Sequence, residues 1–285
     1  MSFRSSFVRV LALVGATSAL ALACGSAPAP SAASVTPATA GQASVHSAAA
    51  SRARPPALAY RIVRTHPHDR SAFTQGLHLV DGELYEGTGL NGQSSLRRVD
   101  LRSGEVRQQV PLEPRYFGEG IAVVGARIVQ LTWQSGVGFV YDRRTFERQR
   151  TFTYAGEGWG LTYDGQRLIM SDGTDVLRFW HPETLEETGR VRVRAGELPI
   201  SGLNELEFVN GAVFANVWPS DRVARIDPAS GQVTGWLDFS TLLTPTEKAR
   251  GVDVLNGIAY DPNSGHLLVT GKLWPWIFEI ALNAP

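Results

Sequence analysis

Cysteine is almost absent from this chain. A single one, Cys24, occurs in 285 residues, so no intrachain disulfide can form even in an oxidising compartment. A thiolate enzyme is excluded as well once Cys24 is lipidated or removed. An excess of either charge is also missing, since 27 basic side chains stand against 27 acidic ones. That balance argues against a nucleic-acid binder, which shows a basic surplus, and it selects neither acidic nor basic partners. Histidine is scarce, at six. Helical periodicity of useful length is lacking except around residues 245–250. What the chain does have is glycine, 29 residues, and tryptophan, 7, a mixture common in turn-rich β proteins. Its length suits one large all-β domain or two small ones.

The one long uncharged run, residues 10–23, follows Arg4 and Arg9. It is too short to span a bilayer comfortably and reads as the core of a signal peptide over residues 1–23. It ends in Leu20-Ala-Leu-Ala-Cys24-Gly25. This resembles the lipobox of bacterial lipoproteins, whose Cys is lipidated and becomes the mature N-terminus, although such boxes more often carry Leu where Ala21 stands. The resemblance implies an exported protein held at the bacterial envelope by a lipid on Cys24. An ordinary signal peptide, giving a periplasmic or secreted protein, is the alternative. Residues 24–57 are rich in Ala, Ser, Pro and Thr and poor in large apolar side chains. They cannot bury enough surface to offset the entropy of ordering, and a flexible tether is expected. A single domain is expected from Leu58 to the end.

An internal repeat decides the fold of that domain. Residues 76–85, 120–129, 160–169, 205–214 and 257–268 share one outline: a small or acidic residue, a short alternating run, a tight turn and a second run. Their starts are 44, 40, 45 and 52 residues apart. Asp81-Gly82, Asp164-Gly165 and Asn210-Gly211 are signals for two-residue hairpin turns, because type I′ geometry needs positive φ. A third run, and in most units a fourth, follows each hairpin. Three to four strands per unit of this size is the propeller pattern. The last unit has only three strands, and residues 59–65 have no hairpin of their own. The sequence therefore predicts an all-β, five-bladed β-propeller whose ring is closed by an N-terminal strand in the last blade. A β-sandwich is the alternative, but sandwiches seldom repeat one hairpin five times.

The first strand of each propeller blade lines the central channel. The residue just before it and the residue just after the second strand therefore lie at one end of that channel. The first column reads Gln75, Glu119, Trp159, Asn204 and Asn256. The second reads Gly89, Trp133, Gly173 or Asp172, Trp218 and, after a longer hairpin, Lys272. A carboxylate, an ammonium, amides and three indoles replace the bland loop residues usual there, as expected of a binding pocket. Each also has a duller role: Trp as core, Glu119 as a partner of Arg115, Lys272 as a solvated charge, and Asn204 and Asn256 as turn residues.

The motifs Phe73-Thr-Gln-Gly-Leu77, Tyr85-Glu-Gly-Thr-Gly89, Tyr116-Phe-Gly-Glu-Gly120, Leu131-Thr-Trp133, Gly158-Trp-Gly-Leu161, Leu203-Asn-Glu-Leu-Glu207, Ala215-Asn-Val-Trp218, Leu255-Asn-Gly-Ile-Ala259 and Val269-Thr-Gly-Lys272 run through nearly the whole domain in order. Together they resemble the plant-type glutaminyl-peptide cyclotransferases, which also occur in bacteria. The resemblance implies a five-bladed propeller that converts N-terminal glutaminyl residues of peptides or proteins to pyroglutamyl with loss of ammonia. It implies no metal and no other cofactor. The family's functional residues fall on Phe73, Gln75, Phe117, Glu119, Trp133, Trp159, Asn204, Trp218 and Lys272.

Those residue types suit the chemistry. A neutral α-amine must attack the γ-carboxamide of its own residue, and the departing ammonia must receive a proton. One carboxylate, Glu119, can act as base and then acid, and aromatic neighbours should raise its pKa by desolvation. Lys272, Gln75 or Asn204 can stabilise the developing oxyanion. Phe73, Phe117, Trp133, Trp159 and Trp218 would wall the substrate pocket. Three alternatives stay open. A glycoside hydrolase would pair Glu119 with Glu205, Glu207 or Asp172. A peptide-binding propeller would hold Gln peptides without turnover. A lactonase-like metal site would need inward ligands, but His66, His68 and His78 miss the two columns. A structural calcium ion held by turn carboxylates is unsupported by the sequence. The expected partners are Gln-initiated peptides, the membrane only through Cys24, and no second subunit, the protein being a monomer.

Overall fold

A computed structural model of the chain describes residues 54–283. The expected leader, Cys24 and nearly all of the expected tether lie outside the described residues. Strand-forming alternation dominates the rest. Four-stranded antiparallel sheets recur five times, and four of them follow chain order from the inside outward. Blade 1 holds Thr74–Val80, Glu83–Thr88, Ser95–Val99 and Val106–Pro111. Blade 2 holds Gly118–Val124, Arg127–Thr132, Val137–Asp142 and Arg148–Thr153. Blade 3 holds Leu161–Tyr163, Leu168–Ser171, Val176–Trp180 and Glu187–Arg192. Blade 4 holds Leu203–Val209, Ala212–Val217, Arg222–Ile226 and Val233–Asp238.

Blade 5 is Leu255–Asp261, His266–Gly271 and Trp276–Leu282, with Tyr60–Pro67 as its outermost strand. Tyr60 pairs with Leu282 and Pro67 with Trp276, so the N-terminal strand closes the ring as the repeat count requires. Just before it the chain runs along the outer strand of blade 4, where Trp236 N–H donates to Pro56 O (2.9 Å) and Leu58 N–H to Trp236 O (2.7 Å). The short helix Pro245–Lys248 sits in the loop between blades 4 and 5 and is capped by Thr244.

Burial follows position in the blade. The innermost strand Gly118–Val124 is buried along its whole length, whereas the outermost strands Val106–Pro111 and Glu187–Arg192 alternate between half-buried and exposed. A strand covered on both faces is largely apolar, and any polar side chain it buries is there for a partner or a site, whereas one covered on a single face need only alternate. Five apolar clusters fill the spaces between neighbouring blades. The largest joins blades 4 and 5 through Phe214, Phe239, Ile258, Trp274 and Phe278.

Two of the three predicted type I′ turns have the expected backbone. Asp81 and Gly82 have φ of 54° and 76°, and Asn210 and Gly211 have 48° and 87°. Asp164-Gly165 departs from the prediction. Tyr163 pairs with Leu168, leaving a four-residue loop in which only Gly165 has positive φ, 92°. The Asp164 carboxylate accepts from the N–H groups of Gln166 (2.9 Å) and Arg167 (2.7 Å). That local cap competes with the I′ geometry. A small hairpin, Arg194–Ala195 with Leu198–Pro199, was not foreseen and follows blade 3.

Candidate active site

The two columns lie where the repeat put them, with a refinement in how they are held. Register shifts interrupt the inner pairing between Thr74 and Gly76, Gly118 and Ile121, Leu203 and Leu206, and Leu255 and Ile258. Gln75, Glu119, Asn204 and Asn256 fall inside those four irregularities. They stand within the first residues of their strands rather than just before them. A bulge takes a residue out of the ladder and re-aims its side chain. In the same four blades one bond recurs: the second-column N–H donates to the carbonyl two residues before the first-column residue. The pairs are Gly89 to Phe73 (2.8 Å), Trp133 to Phe117 (3.0 Å), Trp218 to Gly202 (2.8 Å) and Lys272 to Val254 (3.0 Å).

Blade 3 is built differently. Its inner strand begins only at Leu161, and Trp159 N–H donates to Ser171 O (3.0 Å). Here Gly173 holds the second-column place: a Cβ on it would lie 2.7 Å from the Trp159 ring. Asp172 turns into its own loop, accepting from Thr174 N (3.2 Å) and Thr174 Oγ1 (2.5 Å).

Glycine lets the inner strands converge beneath these residues. A Cβ at Gly120 would lie 2.6 Å from Trp159 O, and one at Gly160 would lie 2.0 Å from Asn204 O. Gly120 N–H in fact donates to Trp159 O at 2.7 Å. The side chains above are therefore held close to one another.

Their floor is polar and buried. Gln75, Glu119, Asn204 and Lys272 are each no more than 6% exposed, and Asn256 is fully buried. Gln75 Nε2 donates to Glu119 Oε1 (2.8 Å). Asn256 Nδ2 donates to Gln75 Oε1 (3.0 Å) and to Thr74 O (3.0 Å), which fixes the orientation of the Gln75 amide. The Asn204 side chain makes no hydrogen bond among the described residues, and its Oδ1 is buried without a partner. Its backbone carbonyl accepts from Ser171 Oγ (2.7 Å).

The walls are aromatic. Phe73 and Phe117 meet edge to face at 6.1 Å, Phe117 and Trp133 at 5.5 Å, and Trp159 and Trp218 at 5.9 Å. Lys272 Nζ sits 4.9 Å from the Phe73 ring centroid, a cation–π distance. The gap between Trp133 and Trp159 is bridged by Glu157, whose Oε2 accepts from both indole N–H groups, at 2.7 and 2.9 Å. Trp218, 47% exposed, forms the outer rim.

Electrostatics follow from this burial. Desolvation pushes the Glu119 carboxyl well above the usual carboxylate range, the nearby Glu157 charge adds to the shift, and Lys272 opposes it. Burial likewise lowers Lys272, against the pull of Glu119 and Asp253. Each group thus favours its neutral form more than it would in water, and the pair titrates as a unit. Glu157 is held below the ordinary range, first by its bond from Trp159.

All nine residues named from the sequence come together at this mouth. The carboxylates considered as second catalytic acids do not join them. Glu205 accepts from the N–H groups of Leu77 (3.1 Å) and Ile258 (2.8 Å), and Glu207 from that of Tyr260 (2.8 Å). Arg115 pairs with Glu113, not with Glu119. His66, His68 and His78 bind Glu279, Glu86 and Glu207 away from the mouth. Glu157 was missed. It stands two residues before Trp159, the same offset as Phe73 before Gln75 and Phe117 before Glu119, so a third column would have revealed it. Asn256 was in its column, but its hold on Gln75 could not be seen there.

The chain is similar to known proteins of one family. Residues 33–282 match the family model described as glutamine cyclotransferase. A glutaminyl-peptide cyclotransferase from Arabidopsis thaliana is 44% identical over 226 residues, covering 78% of this chain and 71% of the plant protein. The crystal structure of Myxococcus xanthus glutaminyl cyclase superposes with a TM-score of 0.74 at 41% identity, covering 80% of this chain and 98% of that one.

Proposed function

This chain belongs to the glutamine cyclotransferase family, and from that premise we propose how its mouth converts N-terminal glutaminyl residues to pyroglutamyl with release of ammonia. The substrate's glutaminyl side chain enters among the aromatic walls. Trp133, Trp159 and Trp218 exclude water and press it into a cyclic conformer. Orientation of this kind contributes several kcal/mol to an intramolecular step.

Glu119 as carboxylate accepts a proton from the α-amine as its nitrogen attacks the side-chain carbonyl carbon. The new C–N bond closes the five-membered ring, and the carbonyl π electrons move to oxygen. The free amide of Asn204 and the ammonium of Lys272 stabilise that oxyanion. Glu119 then returns its proton to the departing nitrogen, the second C–N bond breaks, and ammonia leaves. Gln75, fixed by Asn256, holds Glu119 Oε1 in place. The raised carboxyl pKa suits both proton transfers near neutral pH.

The observation that carries this proposal is one buried carboxyl, gripped by an oriented amide and placed within electrostatic reach of a buried ammonium. No step calls for a metal ion, and Lys272 would repel a divalent cation there. Purified protein should release ammonia from a Gln-initiated dipeptide amide at the same rate with and without EDTA. Loss of activity in chelator would defeat the metal-free scheme, and binding without ammonia release would make the propeller a receptor instead. We place the protein at the bacterial envelope, exported by residues 1–23 and anchored through Cys24. Cys24→Ala should then move it from the membrane fraction to the soluble one.

A further inference from the structure

A peptide whose first residue fills the mouth must lay its second and third residues over the rim. Between blades 4 and 5, beside the residues of the rim, lies a groove of about 420 Å³. Leu243, Val254 and Trp274 give it an apolar floor, and Asp221, Asp253 and Lys248 stand along its edges. Leu243 and Trp274 are among the buried core residues, so the floor is firm rather than a loose loop surface.

The walls of the groove join those of the mouth on two sides. On one, Lys272 N–H donates to Val254 O (3.0 Å) and Asp253 N–H donates to Lys272 O (2.9 Å). The strand end that carries the ammonium is thus laced to the groove wall. On the other, Trp218 packs against Trp159 and stands three residues before Asp221.

Its charge has a sign. Lys248 Nζ is committed to Asp221 Oδ2 (3.6 Å) and to Ser240 O (2.9 Å). Asp253 is exposed and forms no ion pair among the described residues. Its Oδ1 is occupied only by the adjacent Val254 N–H (2.6 Å). Two carboxylates against one ammonium leave the groove lining negative; Asp253 is its one charge without an ion-pair partner, although its field also reaches Lys272 at the mouth.

Resting on the cyclase assignment above, we propose that this groove is the subsite for the second and third residues of the substrate chain. It takes an apolar second residue on its floor and favours a basic third residue over an acidic one. A unit charge moved from water to a half-exposed site near one carboxylate gains or loses about three- to tenfold in affinity.

The test uses the full chain and three substrates: Gln-amide, Gln-Leu-Arg-amide and Gln-Leu-Glu-amide. Ammonia release should give a kcat/KM at least about threefold higher for the Arg tripeptide than for the Glu one at low salt. Asp253→Asn, which keeps an acceptor for Val254 N–H, should bring that ratio close to one. Val252 also lines the groove, and Val252→Trp, which narrows it, should lower both tripeptides towards Gln-amide while leaving Gln-amide unchanged. Equal values for the two tripeptides with Gln-amide turning over would overturn the groove and leave the cyclase assignment standing. A ratio that survives Asp253→Asn would overturn it too. Ammonia from none of the three would overturn the cyclase assignment and the groove with it.

Discussion

Replacing Glu119 by Gln changes a proton carrier into a group of the same shape that cannot carry one. The Gln75 amide can still donate to the new side-chain oxygen, as it does to Glu119 Oε1 at 2.8 Å. The aromatic walls are untouched, so KM for a Gln peptide should stay close to its parental value. A positioned acid–base group contributes about 10²–10⁴-fold, or about 2.7–5.4 kcal/mol of barrier, and kcat should fall by that much. Stability should move the opposite way. Burial, followed by the charge of Glu157, holds the Glu119 carboxyl above its unfolded value, although Lys272 opposes the shift. A carboxyl raised in the folded state binds its proton more tightly there than in the unfolded chain. The native protein therefore loses stability as pH rises from about 4.3, the unfolded value, to the folded value, and does not regain it above. The amide has no such titration. Glu119→Gln should be more stable than the parent at pH 8, with the gain vanishing near pH 4. Each pH unit of displacement is worth about 1.4 kcal/mol, and each kcal/mol about 2–4 °C of Tm in a domain this size. Ammonia-release kinetics and calorimetry at pH 4, 6 and 8 read both quantities. A parental kcat would refute the proton-transfer role, and a Gln variant less stable than the parent at pH 8 would refute the desolvation argument.

Glu157→Gln keeps an oxygen for the two indoles but removes a charge that raises Glu119. The acid limb of the kcat/KM profile should move to lower pH, and a limb that does not move would dissociate Glu157 from the titration of Glu119. Glu86→Gln strikes a buried pair, because Glu86 Oε1 lies 2.9 Å from His68 Nε2 and also accepts from Thr74 Oγ1 (2.8 Å). Burial opposes both charges, yet Glu86 raises His68 and His68 lowers Glu86. Stability from this pair is full between about 4.3 and 6.5, the unfolded values of Glu and His. It is lost as pH falls through the lowered Glu86 or rises through the raised His68. Stranding the imidazolium at pH 7 should cost about 3–5 kcal/mol, visible as a lower denaturation midpoint, and an unchanged midpoint would show that His68 is neutral.

The blades were legible because one hairpin outline recurs with a spacing that only a ring or a stack can use, and the three-stranded last unit pointed to the N-terminal closing strand. The site was legible for the same reason: aligned repeats place aligned residues at one end of the channel. What the alignment could not show was contact between blades. Glu157 is a glycine-flanked glutamate in sequence, and only the meeting of Trp133 with Trp159 gives it two donors. Asn256 looked like a turn residue until its amide was seen to orient Gln75. The Asp164-Gly165 pair misled because Asp can cap a four-residue loop as readily as it can enter a tight turn.

In four blades the residue at the mouth stands outside the ladder, so the sheet below does not dictate what that residue is. In blades 1 and 2 the position directly beneath it has no such freedom: a single methyl group at Gly76 or Gly120 would press into neighbouring backbone at 2.5 or 2.6 Å. Licence and prohibition therefore sit on adjacent residues. Such a frame can exchange the chemistry at its mouth one blade at a time, because the part that reacts and the part that holds the ring together meet at a single peptide bond.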